Sequence, residues 1–512
     1  MEKIKKTTLF PPLLIVVMVI IFDIYNEKKF ETMMQRINNI IMEHFGWTFG
    51  IMAVAALVLC CSVFFTEFGK VKIGGVSATP RLSFFSWCSL SLTTTCASGL
   101  LFWGMSEPID YILYTPTDLT GIEPNTSASI KFAMETMYTH WTFLPYAIYT
   151  LPTIVFAFMY YNGKKSYDVT TFISPLFGRY RSRNLSTGLF NCLTLFCICA
   201  GMAGSLGQVL INLSGGIDTV VGITTEKTLW FIFTVIIIIL TISTLISGLN
   251  KGMKYMAQIN MWLYILFLGI IIILGPTVYN LNLGTEAFGS FLSNIFEKAL
   301  VTGGASGSQW PKWWTMFYWA SWMAWMPTSA MFLARISYGR TIRQCVGVNL
   351  GLNALMMTVW VTFMSGTAIY YQRNGIVNLA ESYKETGPQK IPYLVLEQFP
   401  FSSIIILLFF VIIIITIATS CNSTTSVMAN LSQNDITQQN EEASKILKTV
   451  WSVVVPILAL VMISAIGING VKIIANLGGV VAAVIMLLSI ISFIIISKNY
   501  KTYDKTQNKS GR

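Results

Sequence analysis

Twelve apolar runs of about membrane length, divided by short charged loops, leave this chain few ways to fold. About twenty consecutive apolar residues cross the hydrocarbon core as a helix, and in lipid the backbone must satisfy its own hydrogen bonds. The runs fall at 8–25, 47–67, 83–105, 137–160, 186–213, 228–248, 255–279, 313–334, 345–371, 401–425, 447–466 and 470–497. The expected fold class is an all-α polytopic membrane protein with 12 transmembrane helices. Of the 512 residues only 11% are charged, where a soluble chain carries about a quarter.

The formal charge of +11 does not point to nucleic acid, because it is distributed by loop. Lys3, Lys5 and Lys6 precede the first run, and Lys498, Lys501, Lys505, Lys509 and Arg512 follow the last. Lys70, Lys72 and Arg81, then Lys164, Lys165, Arg179, Arg181 and Arg183, then Lys251 and Lys254 occupy alternate loops. The loop 106–136 instead sets Glu107, Asp110, Asp118, Glu123 and Glu135 against Lys131. This positive-inside pattern places both termini in the cytoplasm of a bacterial-type plasma membrane. The loop 431–448 mixes Asp435, Glu441 and Glu442 with Lys445 and Lys448, an exception of little weight because acids count for little in the rule. The basic MEKIKK start lacks a small-residue cleavage site before residue 47, so 8–25 is expected to be the first span rather than a signal peptide.

Other function classes lose support on the same reading. The nine cysteines lie mostly in apolar runs and show neither a disulfide framework nor a zinc spacing. His44 and His140 are the only histidines, and no carboxylate shares the run of His140, which argues against a membrane-embedded enzyme. A channel or receptor would call for a hydrophilic pore stripe or a soluble ligand-binding domain, and neither is evident.

The densest signal is WPKWWTMFYWASWMAWMPTSAMFLARISYGRTIR, from Trp310 to Arg343, with six of the 14 tryptophans in its first sixteen residues. Trp314, Tyr318, Trp322 and Trp325 share one face at helical spacing. Pro327 is expected to interrupt the helix by removing a backbone donor. Interfacial or core packing accounts for any one of these rings. A ladder of them beside a helix break suits a cation that can make no hydrogen bond, held by π faces. Thr93, Thr94, Thr95, Cys96, Ala97, Ser98 and Gly99 put a small, polar patch in the third run, fit either for close helix packing or for an unwound helix facing a cavity. Two interrupted runs at matching positions point to a midplane site in an inverted-repeat transporter. The fourth run adds HWTFLPYAIY, where Pro145 is expected to kink the helix among Trp141, Tyr146 and Tyr149. The tenth ends in TIATSCNSTTS, too polar to face lipid and rich in hydroxyls suited to an ion. Residues 285–299 space Phe288, Phe291, Leu292 and Ile295 on one face, as in an interfacial helix, and 373–399 is polar enough for a loop with a short helix.

Together FYWASWMAWMP with FLARISYGRT, HWTFLPYAIY and LLFWGMSEP resemble the betaine/choline/carnitine transporter family, from the third run through the tenth. The resemblance implies a LeuT-like 5+5 inverted repeat, with spans 3–7 and 8–12 as the repeats after two extra helices, and a homotrimer in the lipid bilayer. The implied division is 1–82 for the tail and two peripheral helices, 83–279 for the first repeat and 280–312 for an outer interfacial helix. The second repeat is 313–497, with a short cytoplasmic tail at 498–512. It also implies an aromatic site for a quaternary-ammonium solute at Trp141, Tyr146, Tyr149 and Trp322, with Trp325 on the inward path. Ser98, Gly99 and Pro327 are the implied gating breaks.

On that resemblance Na⁺ is the one ion to consider, with no other cofactor and no nucleic-acid partner. Thr95, Cys96, Thr419 and Ser420 fall where the family's second sodium site lies. The hydroxyl ligands of its first site are Ile198 and Met202 here, with Thr328 in place of a neighbouring phenylalanine. Neither an alkyl chain nor a thioether suits hard Na⁺. The family's carnitine exchangers have an arginine where this chain has Asn260. The preferred expectation is sodium-independent exchange of solutes such as glycine betaine, carnitine, γ-butyrobetaine or choline, with Na⁺ symport through the second site as the alternative. Asp110 stands where a relative has a substrate-contacting residue, and lining the site it would favour a cation such as choline. The short tail favours metabolic supply over osmotic regulation.

Overall fold

A computed structural model describes residues 4–95, 98–176, 184–223 and 225–506. Every regular element in them is helical. The first half comprises α1 (Lys6–Tyr25), α2 (Glu27–Phe64), α3 (Phe84–Thr95), α4 (Ser98–Leu113), α5 (Ser127–Trp141), α6 (Phe143–Ala157), α7 (Asn184–Val221), α8 (Glu226–Ile246) and α9 (Lys254–Leu274). The second comprises α10 (Thr277–Leu300), α11 (Thr315–Ile336), α12 (Ile342–Arg373), α13 (Leu379–Thr386), α14 (Ser402–Leu431) and α15 (Lys445–Tyr503). Nine segments among the described residues are long and apolar enough to cross a membrane. The described residues of the runs at 8–25, 83–105 and 313–334 are largely helical as well, but these runs are not among those nine.

Burial sorts the helices into a centre and a rim. The most apolar window of 127–162 is 94% buried, against 28% for α8. Phe231, Ile232 and Ile239 on α8 and Ile259, Trp262 and Leu266 on α9 are exposed, as side chains meeting lipid would be. At the centre α11 packs against α2, α6, α7, α14 and α15. The long α15 is bent at Gly467 (φ 60°, ψ −145°), a left-handed conformation that costs glycine little. Its second half then crosses α11 closely. A Cβ on Gly479 would collide with the Ala320 carbonyl oxygen, so only glycine permits that approach.

Prolines act differently from the expectation. Pro327 lies inside α11, which continues through it. The break falls instead at Trp314 (φ −123°, ψ −78°), between a short turn at Trp310–Trp313 and α11. In the fourth run the break is at Thr142 (φ −115°, ψ −114°), three residues before Pro145. Pro145 thereby sits in the first turn of α6, where a missing donor costs nothing, and its ring avoids the clash it would make in a continuous helix.

Other boundaries also shift. Glu107 and Asp110 are buried within α4 and not in a loop beginning at 106. The interfacial candidate at 285–299 is part of the longer α10, which buries Phe291 and exposes Leu292. The segment 373–399 contains α13 and two further short helical pieces.

At the end of the bundle carrying Arg81, the mixed loop closes an ionic cluster. Arg81 pairs with Glu441 at 2.7 Å, and the buried Arg335 reaches Glu442 at 2.9 Å. Lys448 also binds Glu442, and Tyr161 donates to Glu441 at 2.5 Å. Glu442, one of the acids that broke the loop pattern, neutralises two buried cations, and Glu441 pairs with Arg81. Burial alone would raise the Glu442 carboxyl, but Arg335 and then Lys448 hold it below its ordinary value.

Candidate functional site

A cavity with about 570 Å³ of atom-free space lies in the middle of the bundle, where α3, α4, α5, α6, α7, α11, α14 and α15 meet. Residues 96–97, between α3 and α4, lie outside the described residues. Trp141, Tyr149, Trp322 and Trp325 line the cavity, joined by Trp103 and Tyr318. Trp322 stands at 80° to Trp141 (centroids 5.6 Å) and at 65° to Tyr149 (5.4 Å). Trp141 in turn stands at 68° to Tyr318 (5.1 Å). Rings that meet edge to face leave their other faces as the walls of a corner, with the electron-rich surfaces available to a cation.

What fixes those rings is a carboxyl group. Oε2 of the fully buried Glu107 accepts from Trp141 Nε1 at 2.9 Å and from Tyr318 Oη at 2.5 Å. Its Oε1 accepts from Tyr111 Oη and lies 3.4 Å from His140 Nδ1. His140, also fully buried, meets Thr315 Oγ1 through Nε2 at 3.1 Å, and its backbone carbonyl accepts from Trp322 Nε1 at 3.0 Å. Glu107 thus orients Trp141 and Tyr318, while Trp322 is tied to the main chain at His140. The sequence placed Tyr318 on the aromatic ladder but assigned no role to Glu107.

The polar part of the cavity is distinct. Thr94, Thr95, Gly99, Gln208, Ser321 and Ser420 line it beside the rings. The Thr94 hydroxyl and the Trp103 indole N–H are buried without a hydrogen-bond partner. Gly99 of α4 lines this polar part, where an added side chain would meet Gln208 and Trp141.

The remaining candidate residues are placed as follows. Tyr146 is fully buried behind the cavity, 6.2 Å from Trp322, and does not line it. Asp110 lines a second cavity together with Tyr383, Trp103, Trp314, Phe317 and Lys472. Cys96 lies outside the described residues, and of Ser98 only the helical backbone is described. Thr95 and Ser420 share the aromatic cavity, whereas Thr419 is not among its lining residues and donates to the Ile415 carbonyl at 2.8 Å. Thr95 donates to the Ser91 carbonyl at 2.7 Å and accepts from Asn353, which leaves its oxygen one lone pair. Ile198 and Met202 are buried on α7, and Thr328 is buried with its hydroxyl unpartnered. Asn260 is engaged with Thr416 at 3.2 Å. Among the described residues no cluster of His, Cys, Asp and Glu could hold a metal.

A family model for the betaine/carnitine/choline transporters (BCCT) matches residues 7–502. The ectoine/hydroxyectoine transporter of Virgibacillus pantothenticus is 24% identical over 488 residues, covering 95% of each chain. The glycine betaine transporter OpuD of Bacillus subtilis (strain 168) is 25% identical over 476 residues, covering 92% of this chain and 90% of its own. A solved Na⁺-coupled sialic acid symporter, covering 91% of this chain, gives 14% identity and a TM-score of 0.43, too loose a likeness to transfer residue roles.

Proposed function

The chain belongs to the betaine/carnitine/choline transporter family, and from that premise we propose that it carries zwitterionic quaternary-ammonium solutes of the glycine betaine type through the aromatic cavity. The observation that carries the reading is the corner of Trp141, Tyr149 and Trp322, with Trp325 beside it. A trimethylammonium has no N–H to donate, so ring faces attract it where hydrogen-bond acceptors cannot. Its carboxylate is matched by the unpartnered Thr94 hydroxyl and Trp103 N–H. The named relatives carry glycine betaine and ectoine, both zwitterions. Carnitine and γ-butyrobetaine share this charge pattern, and choline does not.

In this reading the twelve helical runs form two inverted five-helix repeats after two extra helices, in a homotrimer with both termini in the cytoplasm. The cluster around Arg81 and Arg335 closes the inner side. The cavity holding Asp110 is the outer vestibule. Rocking of the repeats about the shared site then gives alternating access.

Coupling is proposed to be solute exchange without Na⁺. Ile198 and Met202 offer no hard oxygen at the family's first ion position, and of the second-site residues Thr95 has a single lone pair to give. Symport through Thr95, Cys96, Thr419 and Ser420 is the alternative. The test is counterflow in proteoliposomes. Exchange predicts uptake of labelled glycine betaine that requires internal solute and ignores Na⁺. Uptake into empty vesicles driven by a Na⁺ gradient selects symport, and no uptake in either condition contradicts transport of this solute.

A further inference from the structure

We propose that Lys472 is a tethered cation that occupies an aromatic site in the outer passage and sets a preference for net-neutral over net-cationic solutes. The inference rests on the transport reading above. Lys472 lies on the second half of α15, five residues past the break at Gly467. Its Nζ is 4.2 Å from the ring centroid of Trp314, 5.2 Å from Phe317 and 5.3 Å from Trp103. All three distances are within the range at which a ring quadrupole holds an ammonium. Asp110 and, after it, Glu107 act on it at longer electrostatic range.

The location gives the lysine its role. Trp103 and Phe317 line both the outer cavity and the aromatic cavity, so they form the partition between the two. Lys472 rests on the outer face of that partition, and Ala475, one turn further along, lines the inner cavity. A methylated ammonium approaching from outside meets the same rings that the lysine already holds. It enters by taking the place of Nζ.

The two solute classes then differ. A zwitterion brings a carboxylate that pairs with the displaced ammonium as its own cation takes the rings. A net cation brings no anion. It leaves two positive charges side by side at the same rings, with Glu107 already engaged by Trp141, Tyr318 and Tyr111 and Asp110 beside Tyr383. A lysine that merely covered the apolar wall with its stem would leave this discrimination untouched when its charge is removed.

The experiment measures glycine betaine and choline binding to the purified full-length protein and to Lys472→Met, Lys472→Arg and Trp322→Leu. Wild type is expected to bind betaine at least tenfold more tightly than choline, Lys472→Met to narrow that ratio about tenfold, and Lys472→Arg to keep it. A Lys472→Met protein with the wild-type ratio overturns the proposal, as does a Lys472→Arg protein that narrows it equally. Should Lys472→Met fail to fold, Lys472→Gln decides by the same criterion. Wild-type protein that binds neither solute, or binds betaine independently of Trp322, contradicts the transport reading and the proposal together. A Trp322-dependent betaine site with an unmoved ratio contradicts the proposal alone.

Discussion

Trp141 donates its indole N–H to Glu107 at 2.9 Å, tying a wall of the aromatic cavity to a carboxyl group sunk in the bundle. The same oxygen accepts from Tyr318, and the neighbouring His140 carbonyl fixes Trp322. Two rings from two broken helical segments therefore take their orientation from one side chain on a third, and Trp322 takes its own from the main chain beside it.

Glu107→Gln keeps the volume and replaces an acceptor by a donor facing other donors. A buried polar group left unsatisfied costs about 1–3 kcal/mol. The variant should melt at a lower temperature in detergent and bind glycine betaine more weakly, measured by thermal shift with and without solute. A variant equal to wild type in both would remove Glu107 from the account.

Trp322→Leu deletes the ring shared by the Trp141 and Tyr149 contacts. At about 0.5–2 kcal/mol per cation–π contact, affinity for glycine betaine should fall roughly 2- to 30-fold, and the melting temperature should fall as well, because the His140 carbonyl loses its donor and a buried ring is lost. Direct binding titration reads the first quantity and a melt the second.

Gly479→Ala should destabilise the crossing of α11 and α15. Its Cβ would collide with the Ala320 backbone oxygen, so α11 and the second half of α15 must separate. Overpacking of this kind costs about 1–3 kcal/mol, visible as a lower melting temperature. Gly289→Ala on α10, with open space at its Cβ, is the control and should melt as wild type.

The pH response of the Arg335–Glu442 cluster follows from Glu442. Its carboxyl is held below the ordinary value of 4.5 by Arg335 and Lys448 against the opposing effect of burial. A depressed folded-state value means that its stabilising contribution is present above about 4.5 and lost as pH falls through the lower folded value. Melting curves from pH 7 to 3.5 should show wild type more stable than Glu442→Gln at neutral pH, with the gap closing only below about pH 4.5. A gap independent of pH would contradict the pairing.

The helical, membrane-length character of the chain was readable from its apolar runs, and the aromatic wall from the spacing of Tyr318, Trp322 and Trp325. Glu107 was harder to see, because an acid before a proline resembles the start of a loop. The signal against that reading was Ile109, Tyr111 and Ile112, which carry the apolar pattern on past it. Pro145 marked the right region but the wrong break, since a proline is tolerated in a first turn and the break falls upstream at Thr142. Pro327 marked no break, because α11 continues through it and the interruption is at Trp314. Lys472 was passed over inside the run 470–497, although an ionisable residue in such a run is itself a functional signal. What it touches depends on the crossing of α15 and α11 at Gly479, which no local pattern encodes.

The central claim is that ring faces recognise a fully methylated nitrogen. Binding of glycine, sarcosine, dimethylglycine and glycine betaine to the purified protein tests it directly, because each added methyl removes a donor that a π surface cannot satisfy. The account predicts affinity rising along the series to a maximum at glycine betaine, with the gradient lost in Trp322→Leu. Glycine bound as tightly as glycine betaine would contradict it.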